Sequence, residues 1–416
     1  MKKLLFRLSL IVVLASLGVA FAKESLICRL SAGVKAADIA AKYQIQLQDS
    51  TPGAPFALFS NGGDAVVSQM KKDPAILWVE DDCEVESPES QSKGGATKGG
   101  GLPAVGDRKG LQTFNKNLLK QINWSPSIAS STGRDVLIAI LDTGLAPKQT
   151  QLWAKVDASM NAIEPGQPAY DIPHNTDSNG NGIPDEAVGH GTMIAGIVDQ
   201  IAPQVRFVVA RIADSDGSAT GWNVIKGLAF AVTSHAEVAN ISLGTLSDVP
   251  VLGAVMDWCT ENNLLVVAPI GNNSVNAACF PARFSDAVCV GGLDAIYRKA
   301  TFSNWDEDCA VSGPAVGFAS QYWDGQLAIW SGTSFASPVV AASVAEALRH
   351  TRPTTPNSLK SALVKTGSQI PWLNPHYHRE LGVLVNFTNL VQSFNSTPVP
   401  ESPSGPSYDV PNKTKR

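Results

Sequence analysis

VLIAILDTG, residues Val136–Gly144, is the stretch that decides the fold. Its first part, Val136–Leu141, is an unbroken apolar run, which reads as a strand buried on both faces. Asp142 ends that strand. On the C-terminal side, strand-like and helix-like runs continue: MIAGIVDQI (Met193–Ile201), RFVVARI (Arg206–Ile212), NVIKGLAFAVTSH (Asn223–His235) and EVANISL (Glu237–Leu243). They are followed by VLGAVMDWCTEN (Val251–Asn262), LLVVAPI (Leu264–Ile270) and DAVCVGGL (Asp286–Leu293). The pattern predicts an α/β fold, a parallel sheet flanked by helices on both faces. Ligands of such sheets bind beyond the carboxyl ends of the strands. Asp142, Ser242 and Asn272 all fall there.

Three short strings carry side chains suited to one another. DTG (Asp142–Gly144) offers a carboxylate held rigidly at a strand end, as a group that orients a histidine must be. GHGT (Gly189–Thr192) puts His190 at the start of a small, apolar helix. SGTSFASP (Ser331–Pro338) puts Ser334 at the start of another helix, with Pro338 expected in its first turn, where a missing N–H costs little. Backbone N–H groups and the positive dipole end beside Ser334 suit a developing oxyanion. Each string alone has an ordinary structural reading, a turn, a structural histidine or an N-cap. Together they form an acid, a base and a nucleophile. Ser334 is not in a G-x-S-x-G elbow, and no H-E-x-x-H occurs.

The chain order Asp, His, Ser is that of subtilisin-type enzymes. From about Trp124 to Ser393 the chain resembles the subtilisin-like serine proteases, through ILDTG, GHGTMIAGIV, NISLG, VVAPIGNNS, FPARFSDAVCVGG, TFSNW and SGTSFASP. The resemblance implies a serine endopeptidase with Asp142, His190 and Ser334 as its triad and the Asn272 amide as oxyanion donor. It further implies that Gly217, Ser218, Ala219 on one side and Ser242, Leu243, Gly244 on the other are backbone edges that sandwich an extended polypeptide substrate. A primary pocket is expected between Leu243–Gly244 and Pro269–Gly271. Phe335, Met193 and Val339 depart from the family's usual Met, His and His, none at a triad position. A binding protein that kept this fold without turnover would be marked by a degenerated triad, and here every position is intact.

Residues 1–22 read as a signal peptide: Lys2, Lys3 and Arg7, an apolar core Leu8–Val19, and the Ala20-Phe21-Ala22 cleavage site. The expected location is therefore extracellular or periplasmic. Residues 23–88 show a β-α-β-β-α-β order, a small α+β ferredoxin-like domain. It resembles the propeptide of subtilases, which implies an intramolecular inhibitor and folding aid. Residues 89–123 read as a Gly/Ser/Lys-rich linker and lead-in, 124–394 as the catalytic domain, and 395–416 as a Pro/Ser-rich disordered tail. The chain has 416 residues, 44% of them hydrophobic, enough for several cores. A net charge of −5 gives no argument for nucleic acid or an anionic membrane surface. No run after the signal approaches a membrane span, and a monomer is expected.

The loop DSNGNGIPDEA offers oxygen ligands at alternating positions, Asp177, Asn179, Asn181 and Asp185, around Gly182. This is the first half of a Ca²⁺ loop, although Val188 stands where a closing Glu belongs and Glu186 would have to substitute. A polar turn is the alternative, and the family resemblance favours structural Ca²⁺. No cofactor is expected for catalysis. His376 and His378 lack further ligands and read as surface residues. Six cysteines in an exported chain suggest disulfides. Cys28 and Cys83 fall on strands expected side by side, which pairs them. Resemblance to proteinase-K-like members implies Cys279–Cys309. Cys259–Cys289 is then the remaining pair, with two buried thiols as its alternative.

Overall fold

A computed structural model describes residues 25–87 and 107–395, apart from 61, 132, 351–353, 371–372 and 378. The expected signal segment, most of the linker, residues 396–416 of the tail and His378 lie outside the described residues.

The N-terminal domain is built as its pattern implies. Strand β1 (Ser25–Leu30), helix α1 (Ala36–Tyr43), strands β2 (Leu47–Ser50) and β3 (Phe56–Ser60), helix α2 (Asp64–Met70) and strand β4 (Ile76–Asp81) form a sheet of order β2-β3-β1-β4. Its pairings are antiparallel, the ferredoxin-like arrangement. One face buries Leu26, Cys28, Phe59 and Val79 under the helices, together with Met70 of α2. The other offers Ile27 and Phe56 to the large domain, where the Phe56 ring meets Trp258 edge-on at 5.5 Å. Fully burying such a side chain stabilises by about 1.5–3 kcal/mol. Polar contacts ring this patch: Arg29 pairs with Glu261 at 2.5 Å, and Trp222 Nε1 donates to Asp49 at 2.9 Å.

ILWVEDDCEVE (Ile76–Glu86) reads in sequence as one final strand, and in the structure that strand is shorter. It stops at Asp81, and strand β5 (Glu84–Glu86) leaves the sheet to pair elsewhere. The break is fixed by Asp82, whose carboxylate accepts from Cys83 N and Trp222 N, both at 2.9 Å. The expected Cys28–Cys83 bridge fails for the same reason. Cys28 lies opposite Val79 in the β1–β4 register, and Cys83 lies four residues beyond. At about 3.3 Å per residue that exceeds the ~7 Å Cα limit for a disulfide.

The large domain contains strands β6 (Leu137–Asp142), β7 (Val156–Asn161), β8 (Arg206–Arg211), β9 (Ser218–Thr220), β10 (Val238–Ile241), β11 (Leu265–Pro269), β12 (Ala287–Leu293), β13 (Val311–Pro314), β14 (Phe318–Gln321), β15 (Leu327–Trp330) and β16 (Val383–Leu384). Eight of them make one sheet of order β16-β13-β12-β11-β10-β6-β8-β7, all pairings parallel. Period-two alternation sends Ile138 and Ile140 to one core and Ala139 and Leu141 to the other, so both faces of β6 are covered. The first core packs helices α3 (His190–Ile201) and, at its centre, α6 (Thr333–Arg349). The second packs helices α4 (Gly221–Thr233) and α5 (Pro250–Glu261). Strand order reverses between β6 and β10, the crevice where such sheets take ligands.

The lead-in before Trp124 is helical rather than linker-like from Arg108 onward: Arg108–Phe114 and Lys116–Gln121 are short helices. They bury Leu111, Leu118 and Leu119, apolar positions too sparse among Lys, Gln and Asn to stand out in sequence.

Candidate active site

Asp142 and His190 meet across the crevice. Asp142 is the last residue of β6 and is fully buried; its Oδ1 accepts from Thr143 N at 2.8 Å and lies 2.8 Å from His190 Nδ1. His190 opens α3, also fully buried, with the rings of Trp330 and Phe335 5.5 and 5.3 Å away. The approach depends on Gly191: a Cβ there would stand 2.4 Å from Gly144 O and 3.1 Å from Asp142 Oδ1. Only glycine lets the helix come this close to the carboxylate.

Ser334 is the second residue of α6, and its hydroxyl donates to Ser242 O at 3.4 Å. Pro338 is the sixth residue of this helix and lies in its second turn, not the first as expected, because the helix begins at Thr333. A proline there cannot donate to the carbonyl four residues back, which is that of Ser334. Ser242 takes the role: its hydroxyl donates to Ser334 O at 3.1 Å, and Asn240 Nδ2 donates to Ser242 Oγ at 2.9 Å. The proline therefore ties the start of α6 to the end of β10.

Asn272 follows β11 and is oriented by Thr333. Its Oδ1 accepts from Thr333 N at 2.9 Å and from Thr333 Oγ1 at 2.8 Å. The NH₂ end of the amide is thereby turned away from Thr333. Gly271 makes the turn at φ +112° and donates to Thr333 Oγ1 at 3.3 Å. Thr333 stood in view in SGTSFASP, yet its motif drew attention only to the serine.

The two expected substrate edges are both engaged, by the chain itself. Strand β5 pairs antiparallel with β9, Val85 opposite Ala219 and Glu86 opposite Ser218. On its other side Glu86 exchanges bonds with Gly244, Gly244 N to Glu86 O at 2.8 Å and Glu86 N to Gly244 O at 3.4 Å. Ser87 N donates to Gly217 O at 2.8 Å. Val85 and Ser87 are buried. Main-chain pairing on two sides is the strand-addition mode of holding an extended peptide. Leu243 is buried beneath this edge, and Pro269–Gly271 face the Cys279 turn, whose Sγ closes on Gly271.

The acidic loop does not gather the four ligands expected. Asp185 turns away: its carboxylate accepts from the amides of His174, Asn175 and Thr176 and from Ser215 Oγ. These hydrogen bonds hold its carboxyl below the ordinary aspartate value against the opposing effect of burial. Asp177 accepts from Asn181 N and Gly182 N, while the amide nitrogens of Asn179 and Asn181 both donate to Glu186 Oε2. Glu186, not Asp185, thus joins Asp177, Asn179 and Asn181. Among the described residues no three His, Cys, Asp or Glu side chains cluster as metal ligands.

All six cysteines are free thiols, so the Cys279–Cys309 and Cys259–Cys289 bridges are also corrected. Cys259 packs on the α5 side with Ala287, whereas Cys289 lies farther along β12 in one buried cluster with Cys309, just before the neighbouring strand β13. Cys279 sits instead against Asn304 Nδ2 at 3.8 Å. Burial pushes the Cys28, Cys83 and Cys279 thiols up to about 12.

The chain is similar to known proteins of one family. The family model described as the subtilase family matches residues 133–388. Alkaline elastase YaB from Bacillus sp. (strain YaB) is 28% identical over 314 residues, 73% of this chain and 72% of that protein. Subtilisin DY from Bacillus licheniformis is 29% identical over 251 residues, 57% of this chain and 85% of its own. Among solved structures, fervidolysin from Fervidobacterium pennivorans, a keratinolytic enzyme related to subtilisin, superposes with a TM-score of 0.70 at 18% identity, over 89% of this chain and 61% of that one. A cold adapted subtilisin-like serine proteinase gives 0.53 at 24% identity, over 60% and 88%. At these identities the two structures speak for the fold.

Proposed function

The chain belongs to the subtilase family and is a serine endopeptidase, and we propose that Asp142, His190 and Ser334 carry its reaction in a precursor inhibited by its own N-terminal domain. Ser334 Oγ attacks the peptide carbonyl while His190 takes the proton and returns it to the leaving amine. Asp142 fixes the tautomer with the proton on Nδ1 and stabilises the imidazolium, as the 2.8 Å contact supports. Ser334 N–H and the Asn272 amide receive the oxyanion.

One observation carries this reading: Glu84–Ser87 lies as an extended strand in a groove whose walls lead to the nucleophile. Ser242, beside the Leu243–Gly244 wall, exchanges hydrogen bonds with Ser334. The groove takes a polypeptide by its main chain, and the N-terminal domain fills it in the precursor. Cutting near Glu86–Ser90 followed by release would open it. The expected signal peptide supports export, and the chain is proposed to act as a monomer. A structural Ca²⁺ is proposed in the loop of Asp177, Asn179, Asn181 and Glu186, a set of hard oxygen donors that suits that ion. It would brace the loop leading to α3 and take no part in the chemistry.

The experiment is labelling by a fluorophosphonate together with peptide hydrolysis. Wild type should be labelled and active, and Ser334→Ala neither. Labelling of the alanine variant would remove Ser334 from the role.

A further inference from the structure

Asp171 lies in an irregular segment, part of no recognised motif, yet it is buried against the start of α3. Helix α3 begins at His190, and its N-cap, Gly189, has no side chain with which to cap it. Asp171 supplies from a distance what a capping residue supplies locally. Its Oδ1 accepts from Gly189 N at 2.8 Å, and its Oδ2 accepts from Thr192 N at 3.2 Å and Thr192 Oγ1 at 2.6 Å. Of the two amides between these, His190 N donates to Ala187 O at 3.0 Å and Gly191 N to Thr143 Oγ1 at 3.0 Å. A capping box satisfies the same N-cap and N3 amides from within the helix; here one carboxylate takes both. Its negative charge also faces the positive end of the helix dipole.

We propose that Asp171 is a positioning residue for His190, clamping the first turn of α3 so that the imidazole stays on Asp142. The clamp grips one residue before and two residues after the histidine. It continues outward, because Thr192 Oγ1 accepts from Ala146 N at 3.0 Å and Gly144 packs against the Ala169–Asp171 backbone. Asp142 and His190 are thus set by one connected unit: β6, its turn, Asp171 and the start of α3. Removing the clamp leaves every triad side chain in place and loosens the base. Burial raises the Asp171 carboxyl to about 6, against the lowering effect of its three hydrogen bonds. The other ionisable groups around it are Asp142 and Tyr322, besides His190. At neutral pH it is an anion close to the base, so it also favours the imidazolium.

This inference rests on the triad reading above. The test is steady-state kinetics on mature Asp171→Asn, with Thr192→Val and Thr192→Ser, alongside fluorophosphonate labelling and melting curves. Asp171→Asn should lower kcat between about tenfold and a hundredfold with little change in KM. It should also move the acid limb of the kcat/KM profile to lower pH, since an anion near the base is lost. Thr192→Val should lose kcat in the same way, and Thr192→Ser, which keeps the hydroxyl, should recover most of it. A melting temperature that falls while kcat and the acid limb stay at wild-type values would overturn the positioning role. Wild type that is neither labelled nor active would instead overturn the triad reading, and this one with it.

Discussion

Replacing Asn272 by alanine tests the oxyanion assignment quantitatively. The amide is fixed by two hydrogen bonds from Thr333, at 2.9 Å from the backbone and 2.8 Å from the hydroxyl, so its NH₂ end is preorganised and not free to rotate. Losing one preorganised oxyanion donor raises the barrier by about 3–4 kcal/mol, or 10²–10³ in kcat. KM should change little, because the bond is made to the oxyanion and not to the ground-state carbonyl. Thr333→Val supplies an internal scale. It removes one of the two tethers and leaves the backbone one, so it should cost about 1 kcal/mol of orientation, roughly fivefold in kcat. It also leaves Gly271 N–H without the Thr333 hydroxyl, so stability should fall by about 1–3 kcal/mol. The assay is hydrolysis of a chromogenic peptide, normalised by fluorophosphonate titration of active sites. A kcat for Asn272→Ala within about threefold of wild type would refute the assignment. So would Thr333→Val proving the more damaging of the two.

Three further outcomes are expected. Val85→Asp, which forces a charge into the buried β5–β9 contact, should weaken inhibition by the N-terminal domain by at least about tenfold; unchanged inhibition would deny that β5 holds the groove. Excess chelator should lower the melting temperature of wild type and leave Asp177→Ala unmoved, because an ion bound only by the native state stabilises it by mass action; no response in wild type leaves a polar turn. Exposure to a disulfide oxidant should join Cys289 to Cys309, the pair already in contact, and a mapped Cys279–Cys309 peptide would contradict that geometry.

The large sheet and the side chains gathered at its crevice were legible because their signals are local. An apolar strand ending in Asp142, a glycine-flanked His190 and a Thr-Ser step into a helix each declare themselves within a few residues, and burial on both faces made the strands continuous apolar runs. What escaped depends on distant parts of the chain. Asp171 caps a helix from some twenty residues away, so no N-terminal signature contains it. Asp185 sits at the right loop spacing but is captured by the amides of His174–Thr176, which no spacing rule foresees. The cysteine pairs depended on which strands neighbour which: β13 beside β12 brings Cys309 to Cys289. The break after Asp81 arises from Asp82 reaching into α4 of the other domain.

The central claim is that Ser334 cuts the strand that its own groove holds. Purified precursor, refolded over a wide range of concentrations, measures this most directly. First-order conversion with a concentration-independent half-time is expected, with a new N-terminus near Glu86–Ser90 and a Ser334→Ala precursor that stays intact. Maturation of that variant at the wild-type rate, or a rate proportional to enzyme concentration, would contradict it.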